Sequence, residues 1–259
     1  MSIRTERWPA GTPCWADLGT TDVDGARAFY AAVLGWDFMD TGEEFGNYLI
    51  ANLDGNATAG LGQTPEGMPP AWTLYLASDD VAATAEAITA NGGQVVIPVI
   101  DVGPMGRMII AVDPTGAAFG VWQAVDMIGA SVVNQPGGLT WEDLRSTDPE
   151  AAKAFYGSVF GFGVTPMAEA GPDYGLFHTS DPEYPLGGLG GMMGAPDGTP
   201  SHWLVYFGVA DAEAAVEAAE ASGGEALAAP FDTPYGKMVP LRDPAGAVFW
   251  TVEMPADPA

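Results

Sequence analysis

WADLGTTDVDGARAFYAAVLGW, residues 15–36, is written a second time as WEDLRSTDPEAAKAFYGSVFGF, residues 141–162. Trp15, Asp17, Phe29-Tyr30 and Gly35 return 126 residues later as Trp141, Asp143, Phe155-Tyr156 and Gly161. The spacing grows to 131 for Trp72 and Trp203, and settles at 130 for DPTGA at 113–117 and DPAGA at 243–247. Five added residues therefore belong between Gly161 and Trp203, in the loop HTSDPEYP. So long a repeat with so few length changes marks a duplicated domain. The division expected is one domain over 10–125, a linker over 126–137 and a second domain over 138–255.

Each copy has the same element order. A short extended segment (12–19, 139–144) leads to a helix capped by Asp22 or Asp148, whose carboxylate can accept from the free N–H groups of the first turn. Pro149 suits the first helical position, where no N–H is needed. Gly35 and Gly161 close these helices. Strands are expected over 47–53, 57–63 and 72–77, and over 174–179, 186–192 and 203–208. Second helices (80–91, 211–222) end in Gly-Gly, and further strands follow, the last pair turning at DP-x-G-A. This is βαβββ twice per domain, an α+β fold with helices on one face of each sheet.

The chain has 259 residues, 8 Lys and Arg against 34 Asp and Glu, a formal charge of −26 and 47% hydrophobic residues. That is ample for a packed core, while so acidic a surface repels phosphate backbones and anionic headgroups, so neither nucleic acid nor membrane is an expected partner. No apolar stretch reaches the roughly 20 residues of a membrane helix. The opening MSIRTERWPAG has no apolar signal core, so a cytoplasmic location is expected. One cysteine, Cys14, allows no internal disulfide and no thiolate metal site. It reads as a small buried hydrophobe.

The strand leading into FY…LGW, the Gly-Gly after the second helix, and the GR/K-M…DP-x-G close resemble the vicinal oxygen chelate superfamily. That group holds glyoxalases, extradiol dioxygenases and bleomycin-resistance proteins. The resemblance spans nearly the whole chain and implies two tandem glyoxalase/bleomycin-resistance-like domains, each a cupped mixed sheet with helices on its outer face. Metal-dependent members place His or Glu ligands on three strands inside the cup. Counting from the motifs puts those positions at Trp15, Leu74 and Gly120, and at Trp141, Val205 and Trp250. None supplies imidazole, carboxylate or thiolate, so no metal and no cofactor is expected.

Alternation along strands then assigns Trp15, Asp17, Trp72, Leu74, Leu76 and Trp122 to the first cup. Trp141, Asp143, Trp203, Val205, Phe207 and Trp250 go to the second. Indole-lined cups suit a flat apolar or aromatic molecule, although the same residues could simply fill a core. Asp17 and Asp143 are candidate proton donors or acceptors because an apolar cavity raises a carboxyl pKa; otherwise they accept hydrogen bonds from a turn or pair with Arg107 and Lys237. Those two bases, if they face the cups, would orient an acidic group. His178 reads as a rim residue open to ligand contact, His202 as a structural histidine on the helix side, and Tyr75 and Tyr206 as packing against helices. Met192-Met193 could line an adaptable wall or fill a core.

Two functions follow. The first is a metal-independent binding protein of resistance or sequestration type, holding a hydrophobic or aromatic small molecule. The second is a metal-independent isomerase, lyase or hydrolase using Asp17 or Asp143 for proton transfer. One cup alone could serve either role, in a monomer or a homodimer.

Overall fold

A computed structural model describes residues 3–65 and 67–254. In the first half β1 (Pro13–Thr20), α1 (Val23–Leu34), β2 (Asp37–Asp40), β3 (Leu49–Leu53) and β4 (Asn56–Gln63) form one module. Its partner module is β5 (Ala71–Ala77), α2 (Val81–Ala90), β6 (Gln94–Asp101), β7 (Gly106–Val112) and β8 (Ala118–Ala124). The second half repeats this with β9 (Leu139–Arg145), α3 (Pro149–Phe160), β10 (Gly163–Pro166), β11 (Gly175–His178) and β12 (Gly187–Gly190). It continues through β13 (His202–Val209), α4 (Ala212–Ala221), β14 (Glu225–Ala226), β15 (Phe231–Thr233), β16 (Gly236–Arg242) and β17 (Val248–Glu253). Each half makes its own mixed sheet, ordered β2-β3-β4-β1-β5-β8-β7-β6 and β10-β11-β12-β9-β13-β17-β16-β14, with β15 also on β16. The two tandem α+β domains expected from the repeat are present.

Local chemistry sets the helix limits. Asp22 accepts from Gly25 N at 2.9 Å, and Asp148 from Ala151 N at 3.0 Å with Pro149 next in line. Gly35 and Gly161 end these helices at φ 72° and 74°, a left-handed conformation that a Cβ disfavours. The DP-x-G-A turns are tied by Asp113 and Asp243, whose Oδ1 atoms each collect backbone N–H groups across the turn, including Ala117 at 3.1 Å and Ala247 at 2.9 Å.

The helix-bearing faces of the two sheets turn toward each other and share one core. Phe29 and Tyr30 of α1 pack on Phe249 of β17, and Phe155 and Tyr156 of α3 pack on Phe119 of β8. The FY pair is thus the domain clamp. Tyr30 donates to Asp243 Oδ2 across the junction at 3.1 Å. Trp36 stands edge-on to Phe207 at 5.1 Å. Fully burying each such side chain contributes roughly 1.5–3 kcal/mol, enough to make the pair of domains one cooperative body.

This shared core overturns part of the expected cup lining. Trp72, Leu74, Leu76, Trp203, Val205 and Phe207 all lie in it and not in the cups. The pairing of β1 with β5 sets Trp15 opposite Tyr75 and Ala16 opposite Leu74; β9 with β13 sets Trp141 opposite Tyr206 and Glu142 opposite Val205. Cross-strand partners share a face, so Tyr75 and Tyr206 point into the cups. Trp72 and Trp203 instead donate their indole N–H groups to Tyr30 at 3.1 Å and Tyr156 at 2.9 Å.

Candidate functional site

The face of each sheet away from the shared core carries the same four side chains at its centre. In the first domain Asp17 Oδ2 accepts from Tyr75 at 2.9 Å and Tyr48 at 3.2 Å, and Trp15 donates its indole N–H to the Tyr48 oxygen at 3.0 Å. Both donors to the carboxylate are phenols, and no donor among the described residues reaches Oδ1. Burial pushes the Asp17 carboxyl up to about 6, the two phenol hydrogen bonds opposing the rise, although one edge stays partly exposed.

In the second domain Asp143 is held more tightly. Its Oδ1 accepts from Tyr174 at 2.8 Å and the Trp141 indole at 3.2 Å; its Oδ2 accepts from Tyr206 at 2.8 Å and Arg145 at 2.6 Å. Four donors saturate the carboxylate, and the Arg145 pair is mostly buried, with 12% and 4% of the side chains exposed. Burial and the adjacent Asp143 charge drive the Tyr174 and Tyr206 phenols upward, so they remain protonated donors. Glycine makes the room: Gly188 is in register with Asp143, and a Cβ there would overlap the Tyr174 hydroxyl.

The two cups differ in what surrounds this centre. The first is filled by its own chain. Trp15, Ile50, Tyr75 and Trp122 form a buried cluster with Ala130 of the linker, packed on by Trp8, Met105 and Met127. Trp8 donates to Ala130 O at 3.1 Å and Trp122 to Met127 O at 2.8 Å, which pins the N-terminal segment and the linker over the sheet. The second cup is open. Trp141 and Trp250 are half-buried, and Phe231 and Tyr235 on the β15–β16 hairpin are 43% and 58% exposed. Tyr235 stacks on Trp141 with centroids 6.5 Å apart, while Trp250 lies between Tyr206 at 5.4 Å and Phe231 at 6.1 Å.

Of the residues singled out from sequence, Trp15, Asp17, Trp122, Trp141, Asp143 and Trp250 are on the cup faces. Arg107 and Lys237 are not: each shares strand parity with core residues (Ile109, Ala111; Val239, Leu241) and is held by Asp101 or Glu213 at the far side. His178 sits on β11, one strand in from the sheet edge, in register with Gly163 of the edge strand β10, with its Nδ1 buried and unpaired. His202 is corrected in the other direction. It is in register with Arg145, so it faces the cup rim, where Nδ1 contacts Pro200 O at 2.8 Å. Tyr48, Tyr174 and Arg145 were missed, although Tyr48 and Tyr174 obey the same 126-residue repeat. Glu142 also escaped notice. Buried opposite Val205, it is pushed up to about 8 by burial and then by Asp143.

A divalent cation needs three or more convergent donors. Asp143 is saturated, Asp17 is tied to two phenols, and the one imidazole placed beside them, His202 at the rim, does not join them in a three-donor group among the described residues, so the cup residues do not fit one. Among the described residues the acidic cluster of that size is Asp211, Glu213 and Glu253, outside both cups, where Glu213 pairs with Lys237 and Glu253 accepts from Ala212 N.

Comparison with known proteins agrees with this architecture. The chain matches the Glyoxalase/Bleomycin resistance protein/Dioxygenase superfamily over residues 14–121 and 131–251. It is 43% identical to CFP32 of Mycobacterium tuberculosis, a protein named for glyoxylase, over 96% of this chain and 97% of that one. It is 35% identical to the anthracycline biosynthesis protein DnrV of Streptomyces peucetius, over 96% and 95%. In fold it is similar to the Mn(II)-bound glyoxalase from Novosphingobium aromaticivorans (TM-score 0.68, 17% identity, 95% of this chain and 83% of that one). The dioxygenase LapB from Pseudomonas sp. KL28 is similar too (TM-score 0.67, 13% identity, 95% and 93%). No helix among the described residues is long and apolar enough to cross a membrane. The protein belongs to the glyoxalase/bleomycin resistance protein/dioxygenase superfamily.

Proposed function

We propose that this protein binds a flat, apolar or aromatic small molecule in its C-terminal cup, without a metal, to sequester or protect it inside the cell. One observation carries the reading: the second cup leaves Trp141, Trp250, Phe231 and Tyr235 partly or largely exposed, whereas the first buries its tryptophans under its own chain. Stacking on such rings contributes roughly 0.5–1.5 kcal/mol per pair beyond area burial. The naming of DnrV for anthracycline biosynthesis supports a fused-ring ligand. The N-terminal domain then serves as the rigid half of the pair.

Tryptophan fluorescence of the full chain, titrated with planar aromatic compounds, tests this. Quenching is expected, with Trp250→Ala weakening binding about tenfold, the equivalent of one aromatic pair at the upper end of its range. Trp72→Phe, in the shared core, should leave affinity unchanged. Absence of quenching by every compound in a broad panel rejects the reading.

A second reading has its own support. Asp17 keeps one oxygen free of donors and titrates near neutrality, at about 6, as a proton-transfer group should. Turnover abolished in Asp17→Asn with ligand binding intact would favour an enzyme over a binding protein.

A further inference from the structure

The two cups share Trp15–Asp17–Tyr48–Tyr75 and Trp141–Asp143–Tyr174–Tyr206, and differ around that centre. A constellation that is the same in a filled cup and an open one braces the sheet. The residues that differ around it set what the open cup can hold. At equivalent positions Gly19 is replaced by Arg145, Ala71 by His202 and Gly120 by Trp250.

Arg145 is the cation of the open cup. Arg242, on the outer strand β16, is held by Glu225. One Arg145 nitrogen, Nη2, is spent on Asp143. The other, Nη1, meets only the Met193 sulfur, and a thioether is a weak acceptor. These are the two hydrogen bonds that Arg145 donates among the described residues, with the Tyr206 phenol, itself a donor to Asp143, lying beside the guanidinium. A guanidinium offers five N–H donors in a fixed plane, so a mostly buried one whose Nη1 meets a thioether keeps donor capacity for a stronger acceptor. Met193 is 54% exposed on the loop after β12, so its side chain can move aside.

The surrounding groups narrow the choice. Tyr174, Tyr206 and Trp141 donate their hydrogen bonds to Asp143, which leaves Arg145 as the strong donor on offer, with His202 beside it across β9 and β13. Because Arg145 and the Trp141 indole both bind Asp143, the cation and the aromatic wall flank a single carboxylate. We propose that the ligand is an aromatic acid, its ring against Trp141 and Trp250 and its acidic oxygen on Arg145 in place of the Met193 sulfur. This rests on the C-terminal cup being the binding cup. The overall acidity of the chain opposes an anion at long range, but that field is screened beyond about 8 Å at physiological salt, whereas a contact pair is not.

Naphthoate and its uncharged isostere naphthamide separate the two ideas when titrated into the full-length protein at neutral pH. The acid should bind about tenfold tighter, as a charge-assisted contact predicts. Arg145→Gln should abolish that preference, naphthoate losing about tenfold more affinity than naphthamide, and Arg145→Lys should keep part of it. Met193→Ala, which takes the sulfur off Nη1, should tighten naphthoate alone. Equal binding of acid and amide to the wild type, or a preference that survives Arg145→Gln, overturns the assignment while leaving an aromatic cup in place. Should Arg145→Gln fail to fold, an unaltered naphthoate affinity in Met193→Ala overturns it equally. Binding of neither compound overturns the assignment and the aromatic cup together.

Discussion

Asp17→Asn and Asp143→Asn make the same change at equivalent positions, and the structure gives them opposite signs. Asp143 accepts four donors, one of them a guanidinium, with both side chains mostly buried. An amide turns two of its acceptor sites into donors facing donors and leaves Arg145 uncompensated. Breaking such a pair costs about 3–5 kcal/mol. At roughly 2–4 °C per kcal/mol for a chain of this class, the melting midpoint should fall by about 10 °C. Asp17 behaves differently because its carboxyl is raised from 3.8 to about 6. Between those values the folded state holds more protons than the unfolded state, so stability falls as pH rises through that window and stays reduced above it. Two units amount to about 3 kcal/mol at full weight, and about 1–2 kcal/mol once solvent at the exposed edge is allowed for. Asparagine mimics the neutral acid and can still accept both phenol hydrogens. Asp17→Asn should therefore raise the midpoint by about 4 °C near pH 8 and leave it unchanged near pH 4. Differential scanning calorimetry across that range is the assay. A destabilised Asp17→Asn at the higher pH, or an Asp143→Asn indistinguishable from wild type, would refute the reasoning.

Other perturbations follow from the same geometry. Glu142 is raised from 4.5 to about 8, so its burial weakens the fold progressively as pH climbs through that interval; Glu142→Gln should stabilise by about 2–4 kcal/mol in mild alkali and by nothing near pH 4, read by urea unfolding. Tyr30→Phe removes the donor to Asp243 and the acceptor of the Trp72 indole, and should cost about 1–3 kcal/mol in the unfolding of both domains together; a loss confined to the first domain would contradict the shared core. Gly188→Ala drives a methyl into the Tyr174 hydroxyl and should weaken aromatic quenching as well as lowering the melting midpoint.

The candidate site tells why part of it could be read along the chain and part could not. Trp15, Asp17, Trp141 and Asp143 sit on the first strand of each domain, where the repeat is strongest, and their cup orientation follows from alternation beside the helix-capping aspartates. Tyr48, Tyr75, Tyr174 and Tyr206 obey the same repeat, so the four-residue centre was present in the duplication. Arg145 appears there as a break in the pattern, a charge where the first copy has Gly19. Its importance emerges only when Met193, 48 residues later, is found against it.

Duplication, element order, helix caps and the DP-x-G-A turns are local properties: each is decided by residues a few positions apart, and the amino-acid order alone determined them. Which face of β5 and β13 meets the cup is not local. Alternation groups Trp72 with Leu74 and Leu76, and Trp203 with Val205 and Phe207, yet it cannot say on which side of the sheet a group lies. That depends on the register with β1 and β9, and on a second domain whose tyrosines receive both indoles. Only tertiary packing could decide it, because the partners that lower the energy of those side chains lie in a different module or a different domain.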